Sequence, residues 1–299
     1  MKTKKGIKIL LCDLCGSAAA IEVPHCREYT NNQPVHICKN CGFVHVKERR
    51  PAKEIAKAWS YLIFDKSFTE KTYTSRIPAV KARHVYVADF INENIGLKRK
   101  YVCDIGAGEG QFLEIVSDSD YKAKVFGIEP SEANCRAMRK SGFKVFRGTI
   151  EDFRNSDEFA KGTFDVVTII WTLCNSFSCR DMVSIAHEML KRGGYLVIAE
   201  GSRIGVPFKK PLNYYFSSLP QDLHSFHFSA NALRNLFQIS GFEVVHVNRY
   251  VDTDYLCMIG KKTTKNKSKD FKKDNYRVVR DFFERWHRET PFYKSIKNA

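Results

Sequence analysis

Residues Tyr101–Leu113 read YVCDIGAGEGQFL, and the fold of the chain turns on this stretch. A short apolar run, Tyr101, Val102 and Cys103, ends in Asp104. Glycines follow at 106, 108 and 110, and Phe112 and Leu113 open a predicted helix. A buried strand feeding a tight glycine turn into a helix N-terminus is the nucleotide-binding corner of an open α/β sheet. Glycine is needed there because the backbone takes positive φ and comes close to a ligand. The glycine spacing is tighter than the dinucleotide fingerprint, and an acidic residue stands just before it.

Working outward, Val125–Ile128 predicts a second parallel strand ending in Glu129, ~20 residues past the glycines, where a carboxylate accepts hydrogen bonds from a ribose diol. The stretch VFGIEPSEANCRAMRKSGFKVFRGTIEDF (125–153) then predicts a helix, a turn at Gly142-Phe143 and a third strand. The β-branched run 164–170 predicts a fourth strand ending at Trp171-Thr172-Leu173-Cys174-Asn175, the active-site edge of such a sheet. A helix over 180–190 leads through a turn at Lys191–Gly194 to a fifth strand, 195–200. Ser229 caps a helix over 230–240 and Gly241 stops it; 242–247 and 255–259 pair as a closing antiparallel hairpin.

In pattern and order, residues from about 75 to 260 resemble the class I S-adenosylmethionine (SAM)-dependent methyltransferases. The glycine turn is similar to their motif I, 125–153 to motifs II and III, and LKRGGYLVIAE (190–200) to the post-motif signature. The resemblance implies an α/β fold: a Rossmann-like seven-stranded sheet, parallel with one antiparallel closing strand, flanked by helices. It implies SAM as cofactor, held by Asp104, Gly106, Ala107, Gly108 and Gly110 at the glycine corner and by Glu129 and Pro130 at the ribose. Ile150 and Glu151 would sit beside the adenine, although Glu151 reads equally as an acid stabilised at a helix N-terminus. Trp171 belongs to the active-site edge. Before the first strand, apolar spacing at Ile77, Val80, His84, Val87 and Ile91 predicts a helix covering the cofactor. Tyr73 and Arg83 there are either ligand contacts or ordinary surface residues.

The N-terminal segment carries Cys12-x-x-Cys15 and, 22 residues later, Cys38-x-x-Cys41, each pair followed by a glycine. Two such knuckles place four thiolates on a tetrahedral, structural Zn²⁺ and leave no open catalytic position. His25, Cys26 and His36 lie between them as alternative ligands. No apolar run reaches the length of a signal peptide or a membrane span, so a cytoplasmic, reducing location is expected, in which clustered cysteines read as metal ligands. The expected organisation is a zinc ribbon (1–48), a methyltransferase domain (49–262) with an acceptor-pocket insertion at about 201–229, and a basic tail (263–299). Pro51 marks a helix start after the ribbon.

The net charge of +16 points to an anionic partner: RNA, an acidic membrane surface or a phosphorylated substrate. From Lys261 onward, thirteen Lys/Arg stand against five Asp/Glu, which gives the tail +8 of the total. Val278, Phe282, Phe283 and Trp286 predict an amphipathic helix there, for packing, dimerisation or contact with a membrane or RNA.

Methyl transfer needs an aligned acceptor and a group to take its proton. His224 and His227 are the expected bases because histidine titrates near neutrality, and Lys209 and Lys210 are phosphate candidates. A four-cysteine module before a SAM fold resembles bacterial sugar methyltransferases of surface-polysaccharide and deoxysugar pathways. Aligned on Phe228-Ser229, His224 matches the proposed base of the sugar C-methyltransferases. Gln221, Asp222, Leu223 and His227 depart from their pattern, and these departures weigh against carbon methylation. The expected reaction is O- or N-methylation of a small carbohydrate-type metabolite: a nucleotide sugar, sugar phosphate or polysaccharide precursor. The alternatives are an RNA methyltransferase using the ribbon and tail, and a non-catalytic binding protein on a SAM fold. Against the RNA reading, the fourth strand lacks the Asn/Asp-Pro-Pro-aromatic ending, and Cys174 lacks a preceding proline.

Overall fold

The computed structural model describes residues 8–59, 70–118, 120–201, 204–205, 211–216, 224–248, 255–263 and 271–296. The N-terminal part holds β1 (Lys8–Ile9), β2 (Ala20–Glu22), the short α1 (Cys26–Tyr29), β3 (His36–Cys38), β4 (Val44–His45) and β5 (Glu48–Arg49). Two helices follow, α2 (Ala52–Trp59) and α3 (Glu70–Ile95). The body then alternates strands and helices: β6 (Tyr101–Ile105), α4 (Gln111–Ser117), β7 (Lys124–Glu129), α5 (Glu132–Lys140), β8 (Lys144–Arg147), α6 (Ile150–Arg154) and β9 (Phe164–Ile170). A 3-10 turn, Leu173–Asn175, leads to α7 (Cys179–Met189) and β10 (Leu190–Glu200). The remaining elements are α8 (Leu212–Tyr215), β11 (Phe226–His227), α9 (Ala230–Ile239), β12 (Phe242–Val247), β13 (Leu256–Lys262) and α10 (Tyr276–Ile296).

Seven strands form one sheet in the order β12-β13-β10-β9-β6-β7-β8. All run parallel except β13, which is antiparallel to both of its neighbours. Both faces are covered, so the central strands read as continuous apolar runs. Val167 and Ile169 of β9 pack with Met182, Val183 and Leu236 from α7 and α9, while Val166 and Ile170 meet Val87, Ile91 and Phe112 from α3 and α4. Strand β10 begins earlier than the sequence suggests. Leu190 pairs with Phe164, and the register then shifts so that Tyr195 pairs with Val166. Gly193, at φ 73°, makes the expected turn a bulge inside the strand.

The ribbon is completed from elsewhere. Its four-stranded sheet runs β11-β4-β3-β2, with Phe226 opposite His45 and His227 opposite Val44. A shared apolar core joins Val35, Ile37 and Val44 of the ribbon to Phe216 beside α8 and to Val279, Phe283 and Trp286 of α10. The tail helix therefore packs on the protein, as the first of the alternatives for it supposed, but its buried stripe is shifted: Val279 is inside and Val278 is 64% exposed. The spacing 279, 283, 286, 290 is that of one helix face. Among the described residues no helix is long and apolar enough to cross a membrane.

Candidate active site

The glycine corner is built as its residues require. Gly106 has φ 76° and donates its N–H to the Ile128 carbonyl at 2.8 Å. A Cβ there would fall 2.3 Å from Thr172 Oγ1, and one at Gly110 (φ 85°) would fall 2.6 Å from Met138 Cγ. Neither position has room for a side chain.

This corner borders a cavity of about 370 Å³, inside the ~300–1,000 Å³ range of small-molecule pockets. Asp104, Gly106, Ala107, Gly108, Glu129, Pro130, Ile150, Glu151 and Trp171 all line it; Gly110 stands behind, at the start of α4. Ala52, Ile55 and Ala56 of α2 and Val80 and His84 of α3 close the opposite side, and Asn175, Ser176 and Phe177 form a further wall. The α2 contribution was readable from its apolar spacing at 52, 55, 56 and 59. Tyr73 falls on α3, but its side chain is outside the described residues, as are Lys209, Lys210, Gln221, Asp222 and Leu223.

Two buried acids define the cavity's electrostatics. Glu129 accepts from Gly108 N–H at 2.9 Å and Ser131 N–H at 2.8 Å. Burial pushes its carboxyl up to about 7 despite these bonds and one from Asn134. Asp104 accepts from the Thr168 hydroxyl at 2.6 Å. Burial likewise lifts it to about 7, the Thr168 bond opposing and the Glu129 charge adding. A third buried acid, Glu200, serves the wall. One oxygen accepts from Cys174 N–H at 3.2 Å, the other has no hydrogen-bond partner among the described residues, and burial holds this carboxyl at about 7 too. In the sequence Glu200 reads only as a strand end.

Trp171 has φ 51°, a left-handed conformation that costs a bulky residue ~1–3 kcal/mol. Its N–H donates to Ala199 O at 2.8 Å, and its carbonyl accepts from Asn175 Nδ2 at 3.3 Å, so the turn is held from both sides. The indole packs edge-on to Tyr255 with centroids 5.4 Å apart, and the Arg83 guanidinium lies 4.9 Å over the Tyr255 ring. His84 stands 5.3 Å from the indole. Its Nδ1 is buried without a hydrogen-bond partner among the described residues, and burial, with Arg83 adding, lowers its pKa to about 4.

Neither expected base lines this cavity. His227 is wholly buried in the ribbon–tail core, packed between Tyr215 and Phe216, with both ring nitrogens lacking a hydrogen-bond partner among the described residues. That burial drives its pKa well down, and the ring packs in this core away from the cavity. His224 is half-buried beside it, with centroids 6.2 Å apart. The histidine that does line the cavity, His84, was hidden within the apolar stripe of its helix.

A family model described as a methyltransferase domain matches residues 80–247, more than half of the chain. The chain belongs to this methyltransferase domain family. Solved structures agree at the level of fold. A SAM-dependent methyltransferase of Thermotoga maritima, described as a possible histamine N-methyltransferase, is 20% identical with a TM-score of 0.50, covering 70% of this chain and 100% of its own. The 1,6-didemethyltoxoflavin-N1-methyltransferase of Burkholderia thailandensis is 14% identical at TM-score 0.52, over 76% of this chain and 97% of its own. Magnesium protoporphyrin IX methyltransferase of Synechocystis, solved with SAM, is 12% identical at TM-score 0.50, over 72% and 99%. No curated protein matches the sequence. The protein is thus a methyltransferase enzyme with the fold of SAM-dependent relatives.

This methyltransferase also carries a thiol cluster with the geometry of a metal centre. Cys12, Cys15, Cys38 and Cys41 hold their ligand atoms within 4.8 Å of one another. The Cys12–Cys41 and Cys15–Cys38 sulfurs are 3.6 and 3.5 Å apart. Tetrahedral zinc with Zn–S bonds of ~2.3 Å needs sulfur separations of about 3.8 Å, so the donor set and its spacing both fit structural Zn²⁺. Gly16 and Gly42, at φ 72° and 74°, turn the chain directly after each knuckle. Of the alternative ligands, Cys26 is buried against Glu22 and the Val35 carbonyl instead, and His25 pairs with Glu28 and Glu284.

Proposed function

We propose that this methyltransferase transfers the methyl group of SAM to an oxygen or nitrogen atom of a small carbohydrate-type metabolite, such as a nucleotide sugar, sugar phosphate or polysaccharide precursor. The observation that carries the reading is the edge of the cavity at Trp171. The indole, Tyr255 and the Arg83 guanidinium stand together there. Aromatic rings offer apolar contact to a sugar ring, and a guanidinium offers bidentate bonds to a phosphate. The resemblance of the ribbon-plus-SAM arrangement to sugar-pathway enzymes points the same way.

Bound SAM supplies an electrophilic methyl group, so the protein's task is alignment and proton removal. Glu129 would hold the ribose hydroxyls and Ile150 would cover the adenine. His84 is placed to take the acceptor's proton because it lines the cavity, 5.3 Å from the Trp171 indole. His224 is the second candidate base.

Methyl transfer from labelled SAM tests the reading, with nucleotide-activated sugars and sugar phosphates offered beside total RNA. Label in a small molecule, identified by its mass, is the expected result. Label in RNA, with binding that weakens steeply in salt, would put the nucleic-acid reading first. SAM binding without any transfer would favour the scaffold reading.

A further inference from the structure

Among the contacts between the ribbon and the cavity wall is one made by a buried charged side chain. Arg49, on β5, is 2% exposed. Its Nη2 donates to Asp13 Oδ2 at 2.5 Å and its Nη1 to Asp13 Oδ1 at 3.2 Å, a bidentate pair shut away from solvent. The same Nη1 donates to the Phe177 carbonyl at 2.5 Å. Phe226 of β11 packs its ring 4.6 Å from the guanidinium carbon.

Each partner belongs to a different part of the protein. Asp13 lies inside the first knuckle, between Cys12 and Cys15, so a metal closing on those thiols fixes its carboxylate. Phe177 lies in the wall that, with Asn175 and Ser176, bounds the cavity. Phe226 lies on the strand that completes the ribbon sheet. Surface ion pairs are worth little because water competes for them. This one is dry, and a carbonyl held by a buried charge is held firmly.

We propose that Arg49 is a positioning residue that couples the zinc ribbon to the cofactor cavity, so that zinc in the knuckles and SAM in the cavity favour each other. This rests on reading the cavity as the SAM site and the four thiols as the zinc site. With zinc bound, Asp13 aims the guanidinium at the Phe177 carbonyl and the wall is set. Without zinc, the knuckle is released and the wall loses its anchor. Linkage is reciprocal, so a cavity occupied by cofactor must retain zinc more tightly.

The test uses S-adenosylhomocysteine, the demethylated product, titrated into the zinc-loaded full chain, together with the rate of zinc loss to a chelator. In wild type the product analogue should slow zinc loss. Arg49→Met should weaken its binding by ~5-fold or more and abolish that protection. Arg49→Lys should fall between, since an ammonium cannot serve Asp13 and Phe177 in one plane. If Arg49→Met leaves Asp13 buried alone and fails to fold, the double variant D13L/R49M removes both charges and cuts the same link. Unchanged affinity in a folded, zinc-loaded variant, or zinc loss from wild type that ignores the analogue, would overturn the coupling alone. A wild type that does not bind the analogue at all would overturn the cofactor reading and the coupling with it.

Discussion

The seven-stranded sheet and the ribbon–tail unit bury apolar surface in opposite ways. The sheet is assembled from consecutive strand–helix units, each carrying its own apolar run, and its cofactor corner is a single continuous stretch around the three glycines. The ribbon owns too little core for independence. It draws β11 from beyond β10 and α10 from the end of the chain, and it places four thiols where a metal can staple it. One half is specified locally and the other by partners far away in sequence. The chemistry is lodged in the first half, and Arg49 ties the second half to its wall.

That contrast predicts unequal responses, the largest to metal removal. Structural zinc of this type contributes on the order of 10–16 kcal/mol to the fold it closes. Chelation should therefore melt the ribbon and release α10 while the sheet persists. Amide hydrogen exchange would show protection lost over residues 20–45 and 276–290 and kept over β6, β9 and β10. Loss of protection in the sheet to the same degree would break the division into two halves.

The next effect belongs to the cavity. His84→Ala should lower turnover by ~10²–10⁴-fold with the fold intact if His84 takes the acceptor's proton, and His224→Ala should then be mild. The reverse ranking in single-turnover rates would return the role to His224. Phe283→Ala, in the ribbon–tail core, should cost ~3–5 kcal/mol, read as loss of the tail's exchange protection. An unaltered exchange pattern would show that α10 does not depend on this packing.

The smallest effect is on pH dependence. Burial pushes the Glu129 carboxyl up to about 7. Ribose hydroxyls donate to the ionised form, so below about 7 binding must release a proton. Affinity for the product analogue should rise with pH up to about 7, by at most ~10-fold per unit, and then level off. Glu129→Gln should flatten the rise; an equally steep rise in that variant would assign it to Asp104.

What was legible in the sequence follows the same division. The glycine corner, Glu129 and the paired cysteines depend on spacing over a few residues; in the structure Gly106, Gly108 and Glu129 border one cavity and the cysteines form one thiol cluster. Strand β11 is two residues long, and only its pairing with β4 makes it a strand, so no local pattern announces it. The Arg49–Asp13–Phe177 junction joins residues up to 164 apart by number, which no spacing rule reaches. The burial of His227 was not legible either, because it follows from the pairing of β11 with β4 and the packing of Tyr215 and Phe216 around the ring. Val278 and Val279 are equally apolar, and only the position of the ribbon decides which one is buried.

The central claim is that the cavity beside Gly106–Gly110 holds SAM. Calorimetric titration of zinc-loaded wild type and Glu129→Ala with S-adenosylhomocysteine tests it most directly. We predict one site per chain in wild type and binding weaker by ~1–3 kcal/mol in the variant, the cost of losing hydrogen bonds to a charged group. No binding to wild type, or equal affinity in the two proteins, would contradict the account.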